Sequence, residues 1–383
     1  MPWVEFFVFG GSLMWLTVLF LPWRPWSTEE QLESVGSHSR ADLDDIVVLM
    51  PARNEAGVIY RSVTALREQG VRLRIVVVDD ESTDGTAEVA RGVAVDDLIV
   101  VPGKAMPRGW IGKLWALEQG KPWLQRPLTL LLDADIVLSP GLIATLRHKL
   151  KEQGGGIVSL MVQLSTRTFW ERLLLPAFVY FFKLLYPFRL ANSPDSRVAA
   201  GAGGCMLLET KLLEEIGAFH AFRNELIDDC TLALRAKRRG FPTWIGLTRS
   251  ALSLRSQSGL RPIWNTVART AFTQLHYSVW WLLLCTALMA MAFVAPSMGL
   301  MATSPWVKCS ATIALLAMVV SYLPILRFYK LPPYLALMLP IVGVLYLAMT
   351  LDSALRYWRG ERSRWKGRDY VRTGGLCDDC QEP

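Results

Sequence analysis

Three short aliphatic runs in the middle of the chain each lead straight into acidic residues. Ile46-Val47-Val48-Leu49-Met50 runs on to Asn54-Glu55, Ile75-Val76-Val77-Val78 to Asp79-Asp80, and Leu128-Thr129-Leu130-Leu131-Leu132 to Asp133-Ala134-Asp135. Runs this short and apolar read as buried strands. A carboxylate at the end of a buried strand adds nothing to packing. It is well placed for a ligand, because open α/β sheets bind ligands beyond the carboxyl ends of their strands. Several carboxylates on one edge repel unless they share a cation. The pattern therefore predicts a wound α/β sheet whose acidic edge uses a divalent metal to hold a phosphorylated substrate. Asp228-Asp229 adds a further acidic pair downstream.

The segments between the runs fit that frame. Helices are expected over 57–69, over 112–120 carrying Lys113, and over 140–152 with Pro140 in a favoured first-turn position. Val58, Val63 and Leu66 are available to pack on the sheet. Further strands are expected over 98–101 and 157–162. Strands alternating with helices give a mostly parallel, wound sheet.

The flanks are different in kind. Of the 383 residues, 52% are hydrophobic, and the excess sits at the two ends. The block 4–23 is long enough to span a bilayer. It has Glu5 as its only charge, and Trp3, Trp23 and Trp26 can form aromatic belts. No basic segment precedes it and no small-x-small site follows, so residues 1–26 are expected to be an uncleaved anchor. Blocks 277–301, 307–326 and 334–351 are candidate spans within a C-terminal membrane region, 276–355. The tail 356–383 opens with a strongly basic run, which favours the cytoplasmic side. With a cytoplasmic domain and three spans, that tail would end outside. Either one block is re-entrant or interfacial, with Pro296 and Pro324 leaving room for a broken element, or the tail departs from the rule.

Residues 169–190 mix aromatic and aliphatic side chains with Glu171, Arg172, Lys183 and Arg189, and are broken by Pro176 and Pro187. This suits a helix lying in the membrane interface and leading an apolar acceptor to the site. A buried helix of the central domain is the alternative.

Pro51-Ala52-Arg53-Asn54-Glu55, Val78-Asp79-Asp80-Glu81-Ser82-Thr83-Asp84-Gly85-Thr86, Gly112-Lys113-Leu114-Trp115, Asp133-Ala134-Asp135 and Asp228-Asp229-Cys230-Thr231-Leu232-Ala233-Leu234-Arg235 occur in the order found in family 2 inverting glycosyltransferases. The resemblance covers residues 44–275 and implies the nucleotide-diphospho-sugar transferase fold, called GT-A. Within the family, 107–113, the Gly201-Ala202-Gly203-Gly204-Cys205 run and the C-terminal blocks most resemble the bacterial hopene-associated glycosyltransferases. Carotenoid and other lipid glycosyltransferases, polyprenyl phosphate enzymes among them, share much of the pattern.

The resemblance implies residue roles. Asp135 binds Mg²⁺ or Mn²⁺, with Asp133 reaching the ribose or the metal. Glu55 and one of Asp79 and Asp80 meet the nucleoside of a nucleotide-diphosphate sugar, usually a UDP-sugar. Strand alternation keeps Asp79 and Asp80 from facing the same way. Lys113 pairs with the diphosphate or is a solvated surface residue. Asp229 is the base that takes the acceptor's hydroxyl proton. Asp228 stands where glutamate is commoner, and first-turn acids also suit the helix dipole there. Asp84-Gly85 reads as turn chemistry. Processive members carry Gln-x-x-Arg-Trp. Here Gln257, Arg261 and Trp264 have the wrong spacing, so a single transfer is expected, with Arg261 and Trp264 over the sugar diphosphate. A bacterial inner-membrane, multi-pass protein with a cytoplasmic catalytic domain and a lipid acceptor follows.

Other classes fit less well. Gly201-Ala202-Gly203-Gly204 lacks the spacing of a dinucleotide fingerprint. Cys377 and Cys380 form one lone pair without the partners of a zinc site. The net charge of +7 gathers at membrane edges, which suits anionic lipid and excludes a nucleic-acid reading. A phosphatase-like use of Asp133 and Asp135 would need a hydroxyl residue where Val137 stands. A non-catalytic nucleotide-sugar-binding membrane protein is the remaining alternative, and the intact acidic motifs argue against it.

Overall fold

A computed structural model describes residues 2–36, 41–361 and the backbone at 364–365 and 368–369. Cys377, Cys380 and most of the expected basic tail lie outside the described residues. Strands β1 (Ile46–Ala52), β2 (Arg74–Asp79), β3 (Leu98–Pro102), β4 (Leu128–Leu132), β5 (Ile136–Leu138), β6 (Ile157–Gln163), β7 (Cys205–Glu209) and β8 (Thr243–Ser253) form one sheet in the order β3-β2-β1-β4-β7-β6-β8-β5. The β3-β2-β1-β4 half is parallel. Beyond it, β7 runs antiparallel to β4 and β6, β8 runs parallel to β6, and β5 runs antiparallel to β8.

The strands are apolar on both faces because helices cover both. In β1, Ile46, Val48 and Met50 face one core, together with Val63 and Leu66 of helix Ile59–Arg67 and Leu146 of helix Leu142–Glu152. Val47 and Leu49 face the other, against Leu114 and Leu117 of helix Gly112–Gly120 and Leu232 of helix Asp228–Arg238. The alternation is the period of two expected of a pleated strand. The expected helices over 57–69, 112–120 and 140–152 and strands over 98–101 and 157–162 are present, with ends shifted by up to two residues.

Topology decides which loops meet. β1, β2 and β4 end on one edge of the sheet. Because β7 is antiparallel to β4, with Cys205 opposite Leu132, the glycine run before β7 arrives at that same edge. β5 pairs Ile136 with Ser253, so the segment leaving β8 lands beside Asp135.

Three described helices are long and apolar enough to cross a membrane: Val279–Gly299, Pro305–Phe328 and Pro333–Trp358. The N-terminal helix, Pro2–Phe20, packs among them. Ser12 Oγ donates to Ser310 O at 2.7 Å, and Trp15 Nε1 to Ala292 O at 2.9 Å. The first of the three has a π-helical turn at Ala290–Val294 just before Pro296, while Pro324 sits inside a helix that runs on to Phe328. A π-turn is a usual way to absorb the missing N–H near a proline. After the N-terminal helix, the chain straps onto β8, with Leu247 N–H donating to Glu30 O at 2.8 Å.

Helix Phe169–Leu185 lies between the sheet domain and the apolar helices. Tyr180 Oη is 2.7 Å from Ser321 Oγ, and Tyr346 Oη donates to Leu174 O at 2.9 Å. Two of the charges that suggested an interfacial helix have another use. Lys183, 1% exposed, pairs with Glu30 at 3.1 Å, and Glu171 is fully buried in hydrogen bonds. Phe178, Phe181 and Phe182 are partly buried against the same core, whereas Phe169 and Leu185 are 65% and 66% exposed.

Candidate active site

The loops after β1 and β2 interlock. Asn54 takes a left-handed backbone, φ 50°, which asparagine tolerates better than most residues. Its Oδ1 accepts the Thr83 N–H at 2.9 Å, and its N–H donates to Ser82 Oγ at 3.0 Å. Glu55 N–H donates to Thr86 Oγ1 at 2.8 Å, and Ala56 N–H to Asp84 Oδ2 at 3.0 Å. Asp84 also accepts the Thr86 N–H at 3.1 Å. Asp84 and Gly85 are thus turn residues, as the sequence suggests, and they fix where Glu55 stands.

Asp79 and Asp80 part as the alternation requires. Asp80 is fully buried, with Arg53 Nη1 at 3.9 Å from its Oδ2. Asp79 is half-buried, and its Oδ2 accepts the Ser82 N–H at 3.3 Å.

Lys113 is no surface lysine. Its Nζ lies 2.9 Å from Asp133 Oδ1, 3.7 Å from Asp228 Oδ2 and 3.4 Å from Gly203 O. Burial alone would lower its pKa, but the Asp133, Asp228 and Asp229 carboxylates hold it far above the ordinary lysine value. Asp133 is pushed up, first by burial and then by Asp135 and Asp228, with Lys113 opposing. Asp229 Oδ2 accepts the Gly203 N–H and its Oδ1 the Cys230 N–H, both at 2.8 Å. Burial, and next the Asp228 carboxylate, push Asp229 up to about 6 against the pull of Lys113 and these N–H donors. Lys113, Asp133, Asp228, Asp229 and Gly203 line one small pocket.

The second part of the edge centres on Asp135, 7% exposed. Ser253 Oγ donates to its Oδ2 at 2.7 Å, and Leu254 N–H to its carbonyl at 2.7 Å. Arg255 Nη2 spans Glu55 Oε1 at 3.0 Å and Asp135 Oδ1 at 3.6 Å. Ser253 and Arg255 carry no sequence signal of their own, since one ends and the other follows a strand, β8, that strand patterning did not reveal. The glycine run was visible in the sequence, and the structure supplies its reason. A Cβ on Gly201 would lie 2.6 Å from Asp229 O, and one on Gly203 3.0 Å from Lys113 Nζ.

The structure does not draw Trp264 into this group. Its Nε1 donates to Asp352 Oδ2 at 2.7 Å, which ties helix Leu260–Gln274 to the last apolar helix. Arg261 is exposed at the start of that helix.

Asp133 and Asp135 offer the hard oxygen donors that Mg²⁺ and Mn²⁺ prefer. Among the described residues no group of three or more His, Cys, Asp or Glu gathers as a complete metal cage. The donor set fits an ion shared between one or two carboxylates and substrate phosphates, the usual arrangement for Mg²⁺.

A family model described as "Glycosyltransferase like family 2" matches residues 44–269. The 4,4'-diaponeurosporenoate glycosyltransferase of Staphylococcus haemolyticus is 31% identical over 117 residues, 30% of this chain and 31% of that protein. Its counterpart in Staphylococcus aureus strain USA300 is 32% identical over 131 residues, 33% of this chain and 34% of that protein. These alignments span about a third of the length of each relative. The mannosyltransferase PcManGT of Pyrobaculum calidifontis, solved with GDP-Man and Mn²⁺, superposes with a TM-score of 0.56 at 19% identity, covering 94% of this chain and 99% of that one. That likeness extends across the apolar helices and shows the GT-A fold. By its family match over residues 44–269, the chain belongs to the glycosyltransferase like family 2.

Proposed function

We propose that the protein is a membrane-bound inverting glycosyltransferase that moves one sugar from a nucleotide-diphosphate sugar, a UDP-sugar by resemblance, to the hydroxyl of a polycyclic or polyprenoid lipid. The observation that carries this reading is Asp229. Its carboxylate is fixed by two backbone N–H groups, carries a pKa near 6, and shares a pocket with Lys113 and Asp133 at the carboxyl edge of the sheet. A general base works best with a pKa near the operating pH.

The residues divide the work. Glu55 and one of Asp79 and Asp80 take the nucleoside side, at the ends of β1 and β2. Asp133 and Asp135 hold the divalent ion, which when bound supplies neutralisation of the departing diphosphate. Lys113 stays protonated and places a fixed positive charge beside that diphosphate. Asp229 accepts the acceptor's hydroxyl proton as the oxygen attacks the anomeric carbon from the face opposite the leaving group. Asp228, 3.7 Å from the Lys113 ammonium, helps hold that cation beside the diphosphate. Arg261 and Trp264 stand outside this group, and Trp264 ties its helix to the last apolar helix.

Residues 1–26 and 276–355 are the membrane region, with helix Phe169–Leu185 beside it and the catalytic domain on the cytoplasmic face of the inner membrane. The acceptor we favour is hopanoid-related, on the resemblance of residues 107–113 and 201–205. The curated relatives, named for 4,4'-diaponeurosporenoate, favour a carotenoid-type acceptor as the second reading.

Purified protein in lipid, given a panel of UDP- and GDP-sugars with hopanoid or carotenoid acceptors, tests both. Nucleoside diphosphate release that requires Mn²⁺ and one acceptor class is expected. Donor binding with no release for any acceptor would sink the enzymatic reading and leave the non-catalytic one.

A further inference from the structure

Arg255 reaches Glu55 and Asp135 from a short segment just beyond the end of β8. Two residues pin that segment. Before Arg255, Asp135 holds Ser253 Oγ and the Leu254 N–H, each at 2.7 Å. After it, Glu171 Oε1 accepts Ser256 Oγ at 3.1 Å and the Gln257 N–H at 2.7 Å.

Glu171 belongs to the first turn of helix Phe169–Leu185. Its other oxygen, Oε2, accepts the Arg167 N–H at 2.8 Å, the Thr168 N–H at 3.0 Å and Ser165 Oγ at 3.0 Å, completing a capping box with Thr168. A capping box needs one carboxylate oxygen only. The second is aimed across to the Arg255 segment from a fully buried side chain. Burial works against its charge, yet the donors hold the carboxyl below the ordinary glutamate value.

We propose that Glu171 is a positioning residue for sugar transfer. It fixes the backbone on the far side of Arg255, so that the guanidinium is presented at the Asp135 edge, where the donor's diphosphate lies. The proposal rests on reading Asp133 and Asp135 as that donor edge. Arg255 is 46% exposed in its side chain, and a long side chain left on a loose segment would lose rotamer freedom on every binding event. Anchoring the backbone on both sides removes part of that loss. A guanidinium so placed can offer a phosphate two parallel N–H donors. The helix that packs on the apolar helices thereby also sets a donor-site cation.

The test is a double-mutant cycle in the full-length protein in lipid, with donor KM, kcat and melting temperature as readouts. Partners that orient metal ligands typically contribute about 10–100-fold; by the lower end of that range for an oriented guanidinium, Glu171→Gln is expected to raise donor KM about tenfold. In an Arg255→Ala background the same change should have no further effect on KM, because coupled residues are not additive. Thr168→Ala, which removes the cap but not the segment contact, should lower the melting temperature and leave donor KM unchanged. Independent, multiplying effects of Glu171→Gln and Arg255→Ala would overturn the proposal, as would a KM shift for Thr168→Ala equal to that for Glu171→Gln. If Glu171→Gln fails to fold, Ser256→Ala replaces it. A rise in donor KM that disappears with Arg255→Ala supports the proposal, and an unchanged KM overturns it. Asp135→Asn separates the underlying reading: if it keeps full activity, the donor edge is elsewhere and the proposal falls with it. If it is inactive and the cycle shows no coupling, only the role of Glu171 falls.

Discussion

Gly203 donates its backbone N–H to Asp229 Oδ2 at 2.8 Å, joining the glycine run before β7 to the first turn of helix Asp228–Arg238. The bond aims one carboxylate oxygen while the other accepts the Cys230 N–H. Two backbone N–H groups, one from the glycine run and one from the helix, thus aim the carboxylate.

Asp229→Asn keeps the size of the side chain and removes the proton acceptor. General-base catalysis is worth about 10²–10⁴-fold, so turnover should fall by at least about 100-fold while donor affinity changes little. Asp228→Asn should be milder. Steady-state kinetics with donor titration checks both. Normal turnover in Asp229→Asn with a dead Asp228→Asn would move the base to Asp228.

The pH profile follows from the same residue. A base must be ionised to accept a proton, so with Asp229 in the proposed role kcat/KM should rise with pH through about 6. The sign for stability is the opposite. Between an ordinary aspartate's 3.8 and about 6 the folded state holds a proton that the unfolded state has released. This group therefore favours the fold at low pH, and that contribution is lost as pH rises across the window. Asp229→Asn should remove both the kinetic limb and this slope in melting temperature. An unchanged limb in the variant would assign the titration to another group.

Gly201→Ala and Gly203→Ala should differ. The new Cβ at 201 meets the backbone carbonyl of Asp229 at 2.6 Å, whereas the one at 203 meets the flexible tip of Lys113 at 3.0 Å. Backbone cannot yield cheaply, and overpacking costs about 1–3 kcal/mol. Gly201→Ala should lower the melting temperature, while Gly203→Ala should mainly lower turnover by displacing Lys113. Equal melting temperatures for the two variants would contradict this.

Asp135→Ala should abolish transfer and weaken Mn²⁺-dependent donor binding. Calorimetric titration of the donor with and without Mn²⁺ measures the second effect apart from turnover. Full activity of this variant in EDTA would remove the metal from the scheme.

Phe169 and Leu185 expose their side chains at opposite ends of one helix. Phe169→Glu or Leu185→Glu should reduce transfer to lipid more than donor hydrolysis in detergent, with the fold intact. Phe178, Phe181 and Phe182 are poorer probes, because Phe181 packs 4.8 Å from the Tyr346 ring and a charge there would disturb the core. Equal loss of both activities at the exposed positions would count against an acceptor path along this helix.

Local pattern made much of this protein readable. The aliphatic runs that became β1, β2 and β4 are buried on both faces, so their composition alone marks them, and the acids that follow must stand at their ends. Lengths of apolar chain likewise marked the C-terminal helices. β7 and β8 went unseen because their places depend on pairing with partners distant in sequence, antiparallel for β7 and mainly parallel for β8. β5 is only Ile136–Leu138, too short for any period to show.

The sequence by itself determined which residues end the parallel strands, and hence that Glu55, Asp79, Asp133 and Asp135 share one edge, because strand period and chain direction are local properties. Only the tertiary structure decided their company. Lys113 sits among carboxylates, Gly203 holds Asp229, and Arg255 bridges Glu55 and Asp135. Each of those contacts joins segments tens of residues or more apart, and nothing in a local pattern records which loops a folded sheet will bring face to face. The same holds for Glu171 and Lys183. Read along the chain, they are charges interrupting an apolar helix. In the fold, both are buried, because Ser256, Gln257 and Glu30 arrive from elsewhere to satisfy them.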